Sequence, residues 1–188
     1  MSEPASRNAA LHEPPFKLAI RDNELLIGET SVPSLLRRSS GRAFYAYDRQ
    51  VIARTIAELR AKLPRRIHLH YAIKANPMPE VVHYISTAAD GLDVASEREL
   101  ALALATGTAA PDISFAGPGK SSQDLAAAVD AGVVIAIESV TEARRIAAIA
   151  AERGVRAPCA IRVNPDFELK SSGMKMGGGA RPFGIDAE

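Results

Sequence analysis

Apolar and polar positions in this chain fall into short blocks that recur at a nearly constant spacing. Apolar runs of strand length begin near Ile67, Gly91, Ile113, Val133 and Pro158, in steps of 24, 22, 20 and 25 residues. Alanine-rich stretches of helical composition lie between them, and three of these open with the same device. Ser96 with Glu99, Ser121 with Asp124, and Ser139 with Glu142 each place a hydroxyl at an N-cap and a carboxylate three residues on. That pairing satisfies the free amides of a helix start. Gly107, Gly132 and Gly154 follow, where a left-handed backbone can end each helix. Strands and helices alternating in this way predict right-handed βαβ units and a parallel sheet.

Such a sheet closes either as an open doubly wound layer or as a (β/α)8 barrel. No glycine-rich dinucleotide fingerprint follows the first strand of the repeat, which favours the barrel. A full barrel needs eight units and about 250 residues. With five strands counted in 188 residues, the chain is expected to cover only the first part of one. Ahead of the repeat, residues 1–15 read as a disordered leader. "FKLAIRDNELLIG" reads as a hairpin closed at Asp22 and Asn23, and "AFYAYD" as a further strand rich in aromatics. A helix is expected from about Asp48 to Lys62, with Val51, Ile52, Ile56 and Leu59 on one stripe.

Composition adds exclusions. The chain is 47% hydrophobic and 24% charged with a formal net charge of +1, a balance that suits a cored protein. It gives no reason to expect a nucleic-acid or membrane partner. No apolar run approaches the roughly 20 residues of a membrane span. The opening "MSEPASRNAALHEPPF" lacks the apolar core of a signal peptide, so the expected location is cytoplasmic. The single cysteine, Cys159, excludes a disulfide framework, and within "APCAIRV" it reads as a buried, inert thiol.

The candidate chemistry starts in "HLHYAIKANP", residues 68–77. Strand alternation puts Ile67, Leu69, Tyr71 and Ile73 on an apolar face and His68, His70, Ala72 and Lys74 on the other, the barrel interior. Lys74 then sits at the C-terminal end of its strand, where barrel active sites are built, with small Ala72 below it leaving room for a flat ligand. Partial desolvation lowers a lysine pKa and frees the amine to attack a carbonyl. Spacing alone fits an aldolase as well as any other Schiff-base enzyme. His68 and His70 form an HxH pair able to bind a divalent metal, but His12 and His83 are poorly placed to complete such a site. Packed polar residues low in the barrel are the reading preferred for the pair, and no metal is expected.

"YAIKANP" resembles the cofactor-lysine motif of the fold-type III pyridoxal-phosphate decarboxylases, which act on diaminopimelate, ornithine and arginine. "GLDVASERELALALATG", "SFAGPGKSSQDLAAAVDAGV", "IRVNP" and "PFGID" resemble later segments of that family in the same order, the last as the start of a helix, and the likeness spans about residues 18–188. The resemblance implies a partial alanine-racemase-like TIM-type barrel over residues 44–188, preceded at 16–43 by a strand segment of a separate β domain. It implies pyridoxal 5'-phosphate as cofactor, with Lys74 as the internal aldimine. It also places Asp93 in the cofactor's second layer and Arg162 near its phenolic oxygen, with Ala72 beside it. The bland alternatives are a helix-start carboxylate for Asp93 and a salt bridge inside the barrel for Arg162. Lys120 is as readily a solvated residue as a functional one.

The Met- and Gly-rich "ELKSSGMKMGGGA" departs from the family's usual His-containing loop and is similar to an exosortase-associated subgroup, so the substrate is left open. It reads as a mobile loop near the site, although "MGGGA" backbone amides could cradle a phosphate. The family's ring-stacking histidine, glycine-rich phosphate loop, acidic partner of the pyridine nitrogen and cross-subunit cysteine are all expected beyond residue 188. On this reading the chain is the N-terminal portion of a homodimeric amino-acid decarboxylase, inactive and poorly soluble alone. The alternatives are a non-catalytic pyridoxal-phosphate carrier, a racemase of the same fold and a metal-dependent hydrolase using His68 and His70.

Overall fold

The computed structural model describes residues 18–165 and 183–187, and the expected leader and the Met- and Gly-rich loop lie outside them. The chain divides into two compact units, one up to Ala61 and one from Lys62 onward.

The first unit holds a three-stranded antiparallel sheet of β1 (Ile20–Arg21), β2 (Glu24–Ile27) and β3 (Thr30–Ser31). Asp22 and Asn23 have φ of 51° and 60° and link Arg21 to its ladder partner Glu24. This is the two-residue turn with both centres left-handed, whose twist matches the flanking strands, and Asp and Asn tolerate it. Helix α1 (Val32–Arg38), with proline in its first turn, was not anticipated from "SVPSLLRR". "AFYAYD" is not a strand: residues 42–48 are irregular and Tyr45 is 90% exposed. Aromatic β-propensity needs a ladder partner, and no described strand pairs with this stretch. Helix α2 (Arg49–Lys62) starts where Asp48 Oδ1 accepts from the Gln50 amide at 2.8 Å. Of its expected stripe, Val51, Ile52 and Ile56 are half-buried but Leu59 is exposed.

The second unit is a parallel sheet of β4 (His70–Ala72), β5 (Gly91–Val94), β6 (Ile113–Phe115), β7 (Val134–Ile137) and β8 (Cys159–Ile161), neighbours in chain order. Helices α3 (Pro79–Ser86), α4 (Glu97–Ala105), α5 (Ser122–Ala131) and α6 (Val140–Arg153) connect them. A doubly wound sheet reverses strand order at a switch point, whereas a barrel steps in one direction, as here. The first strand begins at His70 rather than Ile67. After Arg162 the chain continues as β9 (Val163–Asn164), which pairs in parallel with β10 (Ile185–Asp186). "PFGID" therefore enters a strand rather than a helix. Gly184 has φ of 80°, and a Cβ on it would lie 3.0 Å from the Arg162 carbonyl oxygen, so glycine lets the two segments close.

All three predicted N-caps form, since Ser96, Ser121 and Ser139 accept from the amides of Glu99, Asp124 and Glu142. At Ser121 the box is reciprocal, and Gly132 and Gly154 close α5 and α6 in the left-handed region. Leu92, Val94, Ile113, Phe115 and Ile135 from the strands pack on Leu100, Ala103, Leu125, Ala128, Val129 and Ile146 from the helices. Alternation along β5 buries Leu92 and Val94 against those helices, which leaves Asp93 on the opposite, cleft-lining face. Gly91 permits the closest approach in the sheet: a Cβ there would sit 2.2 Å from the Asp112 carbonyl oxygen and 2.6 Å from the His70 ring.

Candidate active site

A cleft of about 620 Å³, counting the part open to solvent, lies at the C-terminal ends of the strands. It is lined by Ala72 at the end of β4 and Lys74 just after it, Asp93 and Val94 on β5 with Ala95 following, Glu99, Ala116 and Gly117 after β6, Arg162, and Phe183. Lys74 reaches it from a single 3-10 turn, Ile73–Ala75, that follows β4 directly. Ile73 is fully buried and fastens that turn to the core. Asn76 terminates it, its amide donating to the Ile73 carbonyl at 3.0 Å and its side-chain oxygen accepting from the Met78 amide at 3.1 Å. Pro77 and Pro79 forbid a longer helix, and the Tyr71 hydroxyl donates to the Asn76 carbonyl at 3.2 Å. The lysine is thus held on a short, pinned turn at the cleft. Among the described residues its amine has no hydrogen-bond or ion-pair partner.

Asp93 stands beside Ala72 in the sheet register. Its Oδ1 accepts from the Ser114 hydroxyl and lies 3.7 Å from His70 Nδ1. The helix-start role weighed for it belongs to other carboxylates: Glu99 accepts from the Ala95 amide, and Asp124 from the Glu97 amide, each at 2.8 Å. Arg162 lies between β8 and β9 with its guanidinium carbon 4.9 Å from the centre of the Phe183 ring. Its Nη1 donates to Glu138 Oε1 at 3.1 Å. The salt bridge offered as the bland reading of Arg162 is therefore present, on a residue that also lines the cleft.

Three readings need correcting. Lys120 is not solvated: its side chain is wholly buried, and Nζ donates to the carbonyls of Gly117 at 2.6 Å and Ala136 at 2.9 Å while pairing with Glu142 at 3.1 Å. These acceptors converge beneath the "AGPG" turn and replace the ammonium's water. Cys159 is exposed rather than buried, because β8 pairs only with β7 among the described strands and all three of its residues face solvent. Residual burial, helped by the charge of Glu142, pushes its thiol up from the ordinary value, which lowers the thiolate fraction. The expectation that both histidines pack low in the barrel holds only for His70, which lies over Gly91; His68 is exposed because it precedes the strand, which begins at His70. Among the described residues no three metal-ligating side chains cluster.

Sequence reasoning missed Glu138. It is buried and accepts from the amides of Gly117 at 2.6 Å and Gly184 at 3.3 Å as well as from Arg162. The combination at the cleft is a primary amine, two carboxylates and a guanidinium, with alanine and glycine among its walls. That set fits a flat aldehyde cofactor, since the amine can bind its carbonyl, the small walls admit a ring, and the guanidinium can donate to an oxyanion.

Residues 49–188 match the model of the pyridoxal binding domain of the pyridoxal-dependent decarboxylases. The chain belongs to that family. It is 38% identical over 144 residues to the L-glutamyl-(BtrI acyl-carrier protein) decarboxylase of Niallia circulans, an alignment covering 76% of this chain and 34% of the relative. It is 36% identical over 148 residues to the diaminopimelate decarboxylase of Pseudomonas fluorescens, covering 76% and 35%. The crystal structure of AQ1208 from Aquifex aeolicus superposes with a TM-score of 0.75 at 32% identity, over 90% of this chain and 38% of that one. This decarboxylase-family chain spans about a third of the length of the curated relatives it matches. Its cofactor is pyridoxal phosphate, and its fold is the α/β barrel layer expected. No described helix is long and apolar enough to cross a membrane.

Proposed function

We propose that this chain is the cofactor-anchoring part of an enzyme that removes the α-carboxylate of an amino acid, with Lys74 as the covalent anchor. The carrying observation is the Lys74 amine itself, unpaired among the described residues, on a turn pinned by Ile73, in a cleft of small residues. Pyridoxal phosphate, when bound, supplies the electron sink for the charge left on the α-carbon as carbon dioxide departs. Lys74 Nζ holds the cofactor between turnovers and, once displaced by a substrate amine, is free to move a proton at the α-carbon. Asp93, held by Ser114, keeps a carboxylate in the cleft for whichever amine is cationic. Arg162 offers guanidinium donors to an anionic ring oxygen, with Phe183 against its face. Ala72, Ala95 and Ala116 present only methyl groups, which leaves room for a flat ring against apolar walls.

A diamino acid such as diaminopimelate or ornithine is the first substrate class to test. The relatives' names range from diaminopimelate to a glutamyl group on a carrier protein, so the family slot accepts side chains of different reach. The deciding experiment is borohydride reduction with pyridoxal phosphate, then peptide mass spectrometry, on the protein carrying this chain. A pyridoxyl group on Lys74, absent from Lys74→Ala, is expected, with carbon dioxide released from the correct amino acid. Label confined to other lysines, or none, would overturn the proposal.

A further inference from the structure

We infer that Glu138 is a positioning residue for this cleft, setting the pose of Arg162 and of the Gly117 turn before any ligand arrives. This rests on the pyridoxal reading only for the identity of the ligand. The Glu138 side chain is 1% exposed and does not line the cleft, so it can act there only through its partners. Both of its oxygens are used. Oε1 accepts from the Gly117 amide at 2.6 Å and from Arg162 Nη1 at 3.1 Å, and Oε2 accepts from the Gly184 amide at 3.3 Å. The three donors come from segments 21, 24 and 46 residues away in sequence, and two of them line the cleft.

The main chain of Glu138 is fixed as well. Its amide donates to Glu142 Oε2 at 2.8 Å, and Glu142 Oε1 pairs with buried Lys120 at 3.1 Å. Lys120 in turn donates to the Gly117 carbonyl, so that the turn is held at its amide by Glu138 and at its carbonyl by Lys120. Gly117 has φ of 111°, a conformation that needs both glycine and such anchoring. Among the described residues Glu138 is the only hydrogen-bond partner of the Arg162 guanidinium, which leaves its other donors for a ligand in the cleft. A glutamine at 138 could still accept from Gly117, but it lacks the charge that orients Arg162. A hydrogen bond to a charged group contributes about 1.5–3 kcal/mol, or roughly 10- to 100-fold in affinity.

The test uses Glu138→Gln, Arg162→Met and the double variant in the protein carrying this chain. Without cofactor, phenylglyoxal modification of Arg162, followed by peptide mass spectrometry, should be several-fold faster in Glu138→Gln than in the parent. With cofactor, pyridoxal phosphate affinity per folded molecule should fall about 10-fold or more in Glu138→Gln. The double variant should bind no worse than Arg162→Met alone. It removes both the buried carboxylate and the guanidinium paired with it, so it remains informative even if Glu138→Gln fails to fold. A carboxylate that only stabilises the fold would lower the folded fraction and leave both readouts within about twofold of the parent, and that result would overturn the inference. So would additive losses in the double variant. If Lys74 takes no pyridoxyl group in the parent, the cofactor reading fails, and the Arg162 modification rates still decide the role of Glu138.

Discussion

Removal of the Lys120 ammonium should be among the most destabilising single changes in the second unit. Lys120→Met keeps a flexible apolar stem of similar bulk, so the change isolates the charge. Three interactions disappear with it, two to the main-chain carbonyls of Gly117 and Ala136 and one to Glu142. The side chain of Glu142 is 7% exposed and would be left as an uncompensated carboxylate. Breaking a buried pair by removing one member costs about 3–5 kcal/mol. The orphaned carbonyls add to this at the low end of about 1 kcal/mol each, because water can reach part of the turn. A loss of about 5–7 kcal/mol is expected, a large share of the roughly 5–15 kcal/mol that holds a domain together.

The diagnostic is the double variant Lys120→Met/Glu142→Leu. Glu142→Leu alone strands the ammonium and should cost a similar amount, yet the double change removes both charges. What then remains unsatisfied is the Glu138 amide and the two carbonyls, about 3 kcal/mol in all. The two single losses should therefore exceed the double loss by several kcal/mol, well beyond the roughly 0.5 kcal/mol within which independent sites add. Urea unfolding of the parent and the three variants, read at the midpoint with the slopes compared, measures this cycle directly. Additive losses would refute the reasoning, because they would mean that each charge is hydrated separately rather than paired in the interior.

Other predictions follow from local geometry. Gly91→Ala should lower stability by about 3 kcal/mol, the upper end for overpacking, because the new methyl meets the Asp112 main chain as well as the His70 ring; a thermal shift within experimental error would contradict the packing. Burial alone would raise the Asp124 carboxyl, but acceptance from the Ser121 hydroxyl and amide and the Glu97 amide, with Lys120 nearby, holds it below its ordinary value. A depressed carboxyl stabilises the fold above its unfolded value and loses that contribution as pH falls through the folded one. The stability gap between the parent and Asp124→Asn should thus be full at pH 7 and shrink below about pH 4, and a gap that widened in acid would reverse the sign. Cys159, exposed but with its thiol pushed up, should be alkylated by iodoacetamide more slowly at pH 8 than a free peptide cysteine.

What could be read from the sequence was whatever depends on near neighbours. The Asp22–Asn23 turn needs only two residues that tolerate positive φ, and each helix start needs only a serine and an acid three positions on. The strand spacing that implied a barrel is a property of βα units one at a time. Strand alternation and the proline-closed turn pointed Lys74 to the side of the sheet where the cleft lies, although the residue itself sits on the 3-10 turn after β4 rather than at the end of the strand. The errors have the opposite character. "AFYAYD" and Cys159 were judged by their own flanks, yet pairing and burial are decided by what lies across from them. No described strand pairs with the first, and no described strand pairs beyond the β8 edge that carries the second.

Glu138 shows why the remainder of the site could not be read in advance. It stands immediately before Ser139, whose cap with Glu142 already accounts for an acidic residue at that point, so one more negative charge at a helix start looks ordinary. Its real partners are Gly117, Arg162 and Gly184, brought together only when three separate loops meet over the sheet. Lys120 is hidden in the same way, since a lysine between "AGPG" and "SSQD" has every local feature of a solvated turn. Residues that meet a ligand directly tend to sit at strand ends, where alternation predicts their direction. Residues that hold those side chains in place answer to tertiary geometry, so a buried carboxylate joining distant cleft segments must be sought in the structure.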